Sequence, residues 1–431
     1  MDAHKICFIT CVTDEAAYNQ SLRYLKRLRV PDGYTVESLV IGQAASMAEG
    51  YEAGRKASDA KYKIYLHQDV HILARDFLET LVRAFRAHPE YGIAGAVGGR
   101  DIPTSIFWWE SEMRGMIADE LTGRMEPRIY PHDREKCLPV AALDGLILAT
   151  QYDVPWREDV FTGFDMYDLS ACMEYRRRGY QAVVLPGAKP LVEHCSGTKP
   201  RPALSEAQLQ FLQEYGQDVW LGEGYRLSVL VVASQTQELA RCLSFLGEAC
   251  RDLSMPHEVI VVDDGAGGVD TSKDYLLLHH TRPQGLAKSF QEAAQRATGN
   301  LFCLLTSDVC LPRLALRRLF AALGYQHCGV ALPTMRSQAP ETRYGLEIPP
   351  YQDRQDFLEQ AEKFAYSGYL PQQVTTLPAS LMLVRRETWE KLDGFAGLEA
   401  KNFSDLVQNF CLRVGREDEF VCHAIDALVA P

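Results

Sequence analysis

Two aspartates stand where a ligand could be held. Asp69, in His67-Gln68-Asp69-Val70, and Asp308, in Thr306-Ser307-Asp308-Val309, each follow a short apolar run and precede a helix-like stretch. In an open parallel sheet ligands bind beyond the carboxyl ends of the strands. A hard divalent cation there needs only one or two protein carboxylates when a diphosphate supplies further oxygens. Asp69 and Asp308 are therefore candidates for binding both the phosphates of a donor and a divalent cation, Mn2+ or Mg2+. For Asp69 the competing reading is a turn or helix N-cap aspartate. His194, in Val192-Glu193-His194-Cys195, lies in a loop after the last strand of the first half. It is a further metal ligand, or a hydrogen-bonded surface histidine.

A second kind of chemistry needs a carboxylate that can take a proton from a hydroxyl. In Phe161-Thr162-Gly163-Phe164-Asp165-Met166-Tyr167-Asp168 a glycine-containing turn feeds a helix, so Asp168 falls near a helix N-terminus, where the dipole favours the ionised form. Asp168 is the first candidate base, with Asp165 as the alternative and a purely structural N-cap as the bland reading. Such a base suits attack by a hydroxyl on an anomeric carbon through an oxocarbenium-like state, and direct displacement inverts that centre. Trp108 and Trp109 could stack on a sugar or divide between core and surface. Gly145, in Leu143-Asp144-Gly145-Leu146, is a further sugar or acceptor contact. Asp263 and Asp264 end a very apolar strand and could accept hydrogen bonds from a base or ribose. The first half has Ile41-Gly42-Gln43 at that edge, so its donor contacts fall to Thr10, Asp14 or Ser46. Asp405 is the base candidate of the second half.

Strands and helices alternate around these residues. In the first half the pattern predicts strands at Lys5–Cys11, Tyr34–Ile41, Tyr62–Leu66, Ile93–Val97 and Leu143–Ala149, and helices at Glu15–Arg29, Ser46–Ala57, Ala74–Ala87 and Asp168–Arg178. Alternation of this kind implies an α/β fold, a mostly parallel sheet with helices on both faces. The plan restarts at Tyr225, after a stretch broken by Gly197, Pro200 and Pro202 in which Ser205 and Gln208 form a capping box. The expected organisation is one domain over residues 1–197, a linker with a short helix over 198–224, and a second domain over 225–431. Asp69 and Asp168 are separated much as Asp308 and Asp405 are, which supports a common architecture in the two halves.

The 431 residues are 47% hydrophobic and 24% charged, ordinary globular values, with a formal net charge of −12. That charge speaks against a nucleic-acid partner, since phosphate neutralisation needs a basic face and the run Arg176-Arg177-Arg178 reads as an exposed helix end. No Cys-x-x-Cys occurs, and the cysteines beside apolar runs read as reduced core residues. The charged N-terminus and the lack of a long apolar run predict no signal peptide, no integral membrane segment and a cytoplasmic location. A dehydrogenase is excluded because no Gly-x-Gly-x-x-Gly follows either first strand, and neither half has the early glycine-rich phosphate loop of a nucleotidyltransferase.

The segments KICFITCVTDEAAY, SMAEGYEAG, DAKYKIYLHQDV, FWWE, LDGLILAT and FTGFDMYDLSACMEYRRRGY together resemble the StrF-like domain of streptomycin biosynthesis, within the family 2 glycosyltransferases of GT-A fold. This resemblance covers roughly residues 4 to 197. It implies that His67-Gln68-Asp69-Val70 takes the place of the family's metal-binding Asp-x-Asp, with Asp69 the retained aspartate, and that Asp168 falls at the general base. SVLVVAS, HEVIVVDDGAGG, GLAKSFQEAAQRATGNLFCLLTSDV and LMLVRRETWEKLDGF make the second half similar to ordinary family 2 glycosyltransferases. There the family's Glu-Asp pair is replaced by Leu406-Val407, with Asp405 displaced beside it. The resemblance implies a nucleotide-sugar donor and a carbohydrate, glycan or natural-product acceptor. A non-enzymatic nucleotide- or carbohydrate-binding protein is the alternative.

Overall fold

A computed structural model describes residues 1–120, 124–194, 205–233, 236–251, 253–265, 267, 269, 275–336, 341–343, 346–348 and 351–430. It divides into two compact units, one of Met1–Ile102 with Ile106–Phe211, the other of Pro103–Ser105 with Leu212–Pro431. Among the described residues no helix is long and apolar enough to cross a membrane, and the described cysteines are free thiols.

The first unit runs β1 (Asp2–Val12), α1 (Glu15–Leu25), β2 (Thr35–Gly42), α2 (Met47–Ala57), β3 (Ala60–Leu66), β4 (His71–Ile72), α3 (Phe77–Ala87), β5 (Tyr91–Gly95), β6 (Val97–Gly99), β7 (Met113–Glu120), β8 (Met125–Ile129), β9 (Leu138–Val140), β10 (Ala142–Leu143), β11 (Ile147–Thr150), α4 (Tyr167–Arg177), β12 (Gln181–Val184) and β13 (Val192–His194). Ile6 to Ile9 are buried without alternation, as a strand covered on both faces must be. The main sheet has the order β2-β1-β3-β11-β5-β12-β9. β2, β1 and β3 are parallel, β11 is antiparallel to both neighbours, and β12 runs parallel to β5. α3 packs through Phe77, Leu78, Leu81, Val82 and Phe85, one apolar stripe at helical spacing. A smaller sheet, β10-β6-β7-β13-β4, carries β13 alongside β4 and β7.

The strand expected over Leu143–Ala149 is broken. Asp144 accepts a hydrogen bond from Leu146 N at 3.1 Å, and this tight turn through Gly145 separates β10 in the small sheet from β11 in the main one. Apolar character alone could not reveal the turn, because Leu143, Leu146 and Ile147 are all buried. His194, expected in a loop, is the last residue of a short strand. Ser205 and Gln208 do cap the next helix, α5 (Glu206–Tyr215), reciprocally. Residues 195–204, which include the first seven residues of the expected linker, lie outside the described residues.

The second unit runs β14 (Leu227–Ala233), α6 (Thr236–Cys250), β15 (His257–Asp263), β16 (Leu276–His279), α7 (Leu286–Arg296), β17 (Leu301–Thr306), α8 (Arg313–Leu323), β18 (Cys328–Met335), β19 (Glu341–Arg343), β20 (Leu346–Ile348), α9 (Arg354–Ala365), β21 (Gln372–Val374), β22 (Leu381–Arg385), α10 (Arg386–Lys391), α11 (Phe403–Val414) and β23 (Phe420–Val429). Its main sheet has the order β16-β15-β14-β17-β22-β18-β23-β21. With β16 set aside, every strand and its direction matches the first unit's sheet. Alternate residues feed two cores: Val229 and Val231 of β14 join Leu239, Leu246 and Leu319 on one side, and Leu230 and Val232 join Phe290 and Phe410 on the other.

Candidate active site

β3 delivers His67 and Asp69 to the carboxyl edge of the first unit's sheet. After Leu66 the chain turns, with Val70 N donating to His67 O at 3.3 Å, and Ser21 Oγ of α1 holds Val70 O at 2.6 Å. Gln68 faces the other way and ties down the β1–α1 loop. Its Oε1 accepts from Thr13 N and Asp14 N, both at 2.8 Å, and its Nε2 donates to Thr13 Oγ1 at 3.2 Å. β13 brings in the third group. Glu193 lies opposite His71 of β4 and is hydrogen-bonded to its Nδ1 at 2.8 Å, which fixes the strand and sets His194 beside Asp69.

His194 Nε2 lies 3.6 Å from Asp69 Oδ1. His67, Asp69 and His194 offer ligand atoms within 4.8 Å of one another, and no other such group of three occurs among the described residues. Hydrogen bonding to His194 holds the Asp69 carboxyl below its usual range, despite some burial. Burial pulls His194 down, but the bond and charge of Asp69 outweigh it and the imidazole is raised. Burial, with the charge of His194, pushes His67 down to about 4, so it is neutral at pH 7. His67 was missed in the sequence reading. Its signal was the His-x-Asp spacing directly after a buried strand, in the turn that closes from Val70 N to His67 O.

α4 places the second chemical group. Its start follows Met166, whose φ of 64° turns the chain sharply into the helix. Asp168 accepts from Leu169 N at 2.8 Å through Oδ1 and from Gly145 N at 3.1 Å through Oδ2. Burial and the neighbouring charge of Asp144 push the Asp168 carboxyl up to about 7. The helix terminus was expected to favour the ionised form; here burial and a like charge prevail over it. Asp144 is raised too, chiefly by burial. The preceding residue, Tyr167, reaches His67 Nε2 with its hydroxyl at 2.5 Å. A Cβ at Gly145 would fall on that hydroxyl, which is why the turn carries glycine.

The remaining first-half candidates lie as follows. Asp165 is exposed on the loop before α4. Thr10 is buried on β1. Asp14 caps α1, accepting from Ala16 N and Ala17 N. Ser46 caps α2 through Glu49 N, and Glu49 answers by accepting from Ala45 N. Trp108 is buried, whereas Trp109 is 51% exposed and stacks on Phe107 at 4.8 Å.

In the second unit the corresponding acids are engaged internally. Asp263 accepts from Gly267 N and is hydrogen-bonded to His279. Asp264 holds His280, Gln284 N and Gly285 N at 2.7 to 3.0 Å, anchoring the loop that starts α7. Asn402 caps α11 by accepting from Asp405 N, and Asp405 accepts from Lys401 N while lining, with Glu399, Lys401, Gln408 and Asn409, a cavity of about 490 Å3. Arg413 binds the carbonyls of Leu392, Gly394 and Ala396 and so pins the preceding turn. Asp308 is half-buried after β17, outside any three-ligand cluster among the described residues.

Residues 7–215 match the model of the "Glycosyltransferase like family", and residues 228–392 match that of "Glycosyl transferase family 2". The chain carries two glycosyltransferase-type domains in tandem. No curated protein matches it in sequence. Similar solved structures include a mannosyltransferase from Pyrobaculum calidifontis in complex with GDP-Man and Mn2+ (18% identity, 48% of this chain and 56% of that one, TM-score 0.35). Others are GalNAc-T7 with UDP, GalNAc and Mn2+ (11%, 48% and 44%, 0.36) and residues 1–349 of TarS from S. aureus in complex with UDP (17%, 48% and 60%, 0.33). The chain thus spans about half the length of these solved chains. Its first glycosyltransferase-type domain contains the cluster of His67, Asp69 and His194, which could hold a metal ion, and Asp168; its second has no such cluster among the described residues.

Proposed function

We propose that the first domain transfers a sugar from a nucleoside-diphosphate sugar to an acceptor hydroxyl with inversion, in the manner of the StrF-like domain it resembles. The observation that carries this is the convergence of His67, Asp69 and His194 on one point, joined through Tyr167 to the helix that bears Asp168. The donor set fits a divalent cation, and its two imidazoles suit Mn2+ better than Mg2+. Bound there, the cation would neutralise the diphosphate as negative charge builds on the leaving group.

The chain's own residues do the rest. Asp168, held by two backbone N–H groups, takes the proton of the acceptor hydroxyl as its oxygen bonds to the anomeric carbon. The bond to the diphosphate breaks on the opposite face, which inverts the centre. Burial, with the charge of Asp144, keeps Asp168 basic enough to accept that proton near neutral pH. Trp109 offers the exposed ring for stacking on a sugar. The engagement of Asp263, Asp264 and Asp405 within their own domain supports reading the second domain as a degenerate partner, not a second transferase.

A thermal-shift screen of nucleotide sugars with and without Mn2+ identifies the donor, since a ligand of the folded state raises the melting temperature. With that donor, Asp69→Asn and Asp168→Asn should each reduce transfer by about 100-fold or more. Full turnover in the double variant would refute the assignment.

A further inference from the structure

Tyr167 joins the two halves of the candidate site. It is the first residue of α4 and is 5% exposed. Its ring is boxed in by Tyr51, edge-on at 5.8 Å, and Trp156 at 6.3 Å, so the hydroxyl has one direction to point. That direction is toward His67 Nε2, through the space left by the missing side chain of Gly145. The same turn closes the circuit: His67 N donates to Leu146 O at 3.1 Å, and Gly145 N donates to Asp168, the residue after Tyr167.

An imidazole that ligates a metal through one nitrogen commonly donates its other N–H to an oxygen, which sets the tautomer and ring orientation. We propose that Tyr167 is a positioning residue for the cation: its oxygen accepts the Nε2–H of His67, leaves the Nδ1 lone pair for the metal, and sets that ligand relative to Asp168. This rests on the metal reading given above. Neighbouring phenols are not equivalent. The Tyr51 hydroxyl, buried in the same aromatic group, has no hydrogen-bond partner.

The test uses the full chain with Mn2+ alone as probe, following the loss of the free-ion electron paramagnetic resonance signal on binding. Tyr167→Phe should weaken Mn2+ binding by about 10-fold or more, the usual effect of removing such an outer partner. Gly145→Ala keeps the hydroxyl but displaces it, and should weaken binding in the same sense. Tyr51→Phe removes an equally buried hydroxyl and should leave the affinity unchanged. Metal-free melting temperatures of the three variants check that each is folded. Wild-type affinity in Tyr167→Phe, or equal loss in Tyr51→Phe, would overturn the role of Tyr167 alone. A wild-type chain that leaves the Mn2+ signal unaltered would overturn the metal reading together with it.

Discussion

Asp168 carries opposing demands from catalysis and stability. With its carboxyl pushed up to about 7, the ionised base grows as pH rises from 6 to 8, so transfer should climb through that range and level off above it. A flat profile would remove Asp168 as the base. The sign for stability is reversed. A carboxyl whose folded value exceeds its unfolded one stabilises the fold when protonated, and that contribution is lost as pH rises toward 7. Asp168→Asn should therefore reduce transfer by about 100-fold or more. It should also flatten the stability profile between pH 5 and 7, the wild type losing on the order of 1 kcal/mol per pH unit relative to the variant. Denaturant melts at three pH values measure this.

At the scale of elements, short hydrogen-bonded joints hold the chemistry in place. The Ser46–Glu49 box fixes α2, and Ser46→Ala should lower stability by about 1 kcal/mol while leaving Mn2+ affinity unchanged. Such an outcome would mark Ser46 as a cap and not a donor contact; weakened donor binding with unchanged stability would mark the reverse. Asp264 in the second domain organises the loop before α7 by three hydrogen bonds. Asp264→Ala leaves those donors unpaired, and should cost about 2 kcal/mol or more in stability with turnover retained. Reduced turnover at unchanged stability would instead give Asp264 a direct part in the reaction.

At the scale of the molecule the two domains share a sheet order but differ in what their strand ends hold. Only the first gathers three side chains that could together hold a metal ion, among the described residues. Mn2+ should accordingly raise the melting temperature more than Mg2+ at equal concentration, and His194→Ala should erase the difference. Asp308→Asn and Asp405→Asn should leave transfer at the wild-type rate. A large loss in either would assign chemistry to the second domain.

Strand–helix alternation, and the placement of Asp69 after a strand and of Asp168 in a helix's first turn, were legible in the sequence, because apolar periodicity and turn residues are local properties of the chain. The capping box at Ser205 and Gln208 was legible for the same reason. Only the tertiary structure decided what those residues meet. His67 becomes a candidate ligand because β13, 125 residues later, sets His194 across from it, and no local pattern encodes that pairing. Asp168 differs from Asp165 because the Asp144–Leu146 turn presents Gly145 N–H to one, which is half-buried, while the other is exposed. Asp264 looked available in the sequence, and is engaged by the N–H groups of Gln284 and Gly285 that folding brings to it. Sequence spacing places a carboxylate at a strand end or helix start, whereas long-range packing determines which donor, charge or ligand it faces.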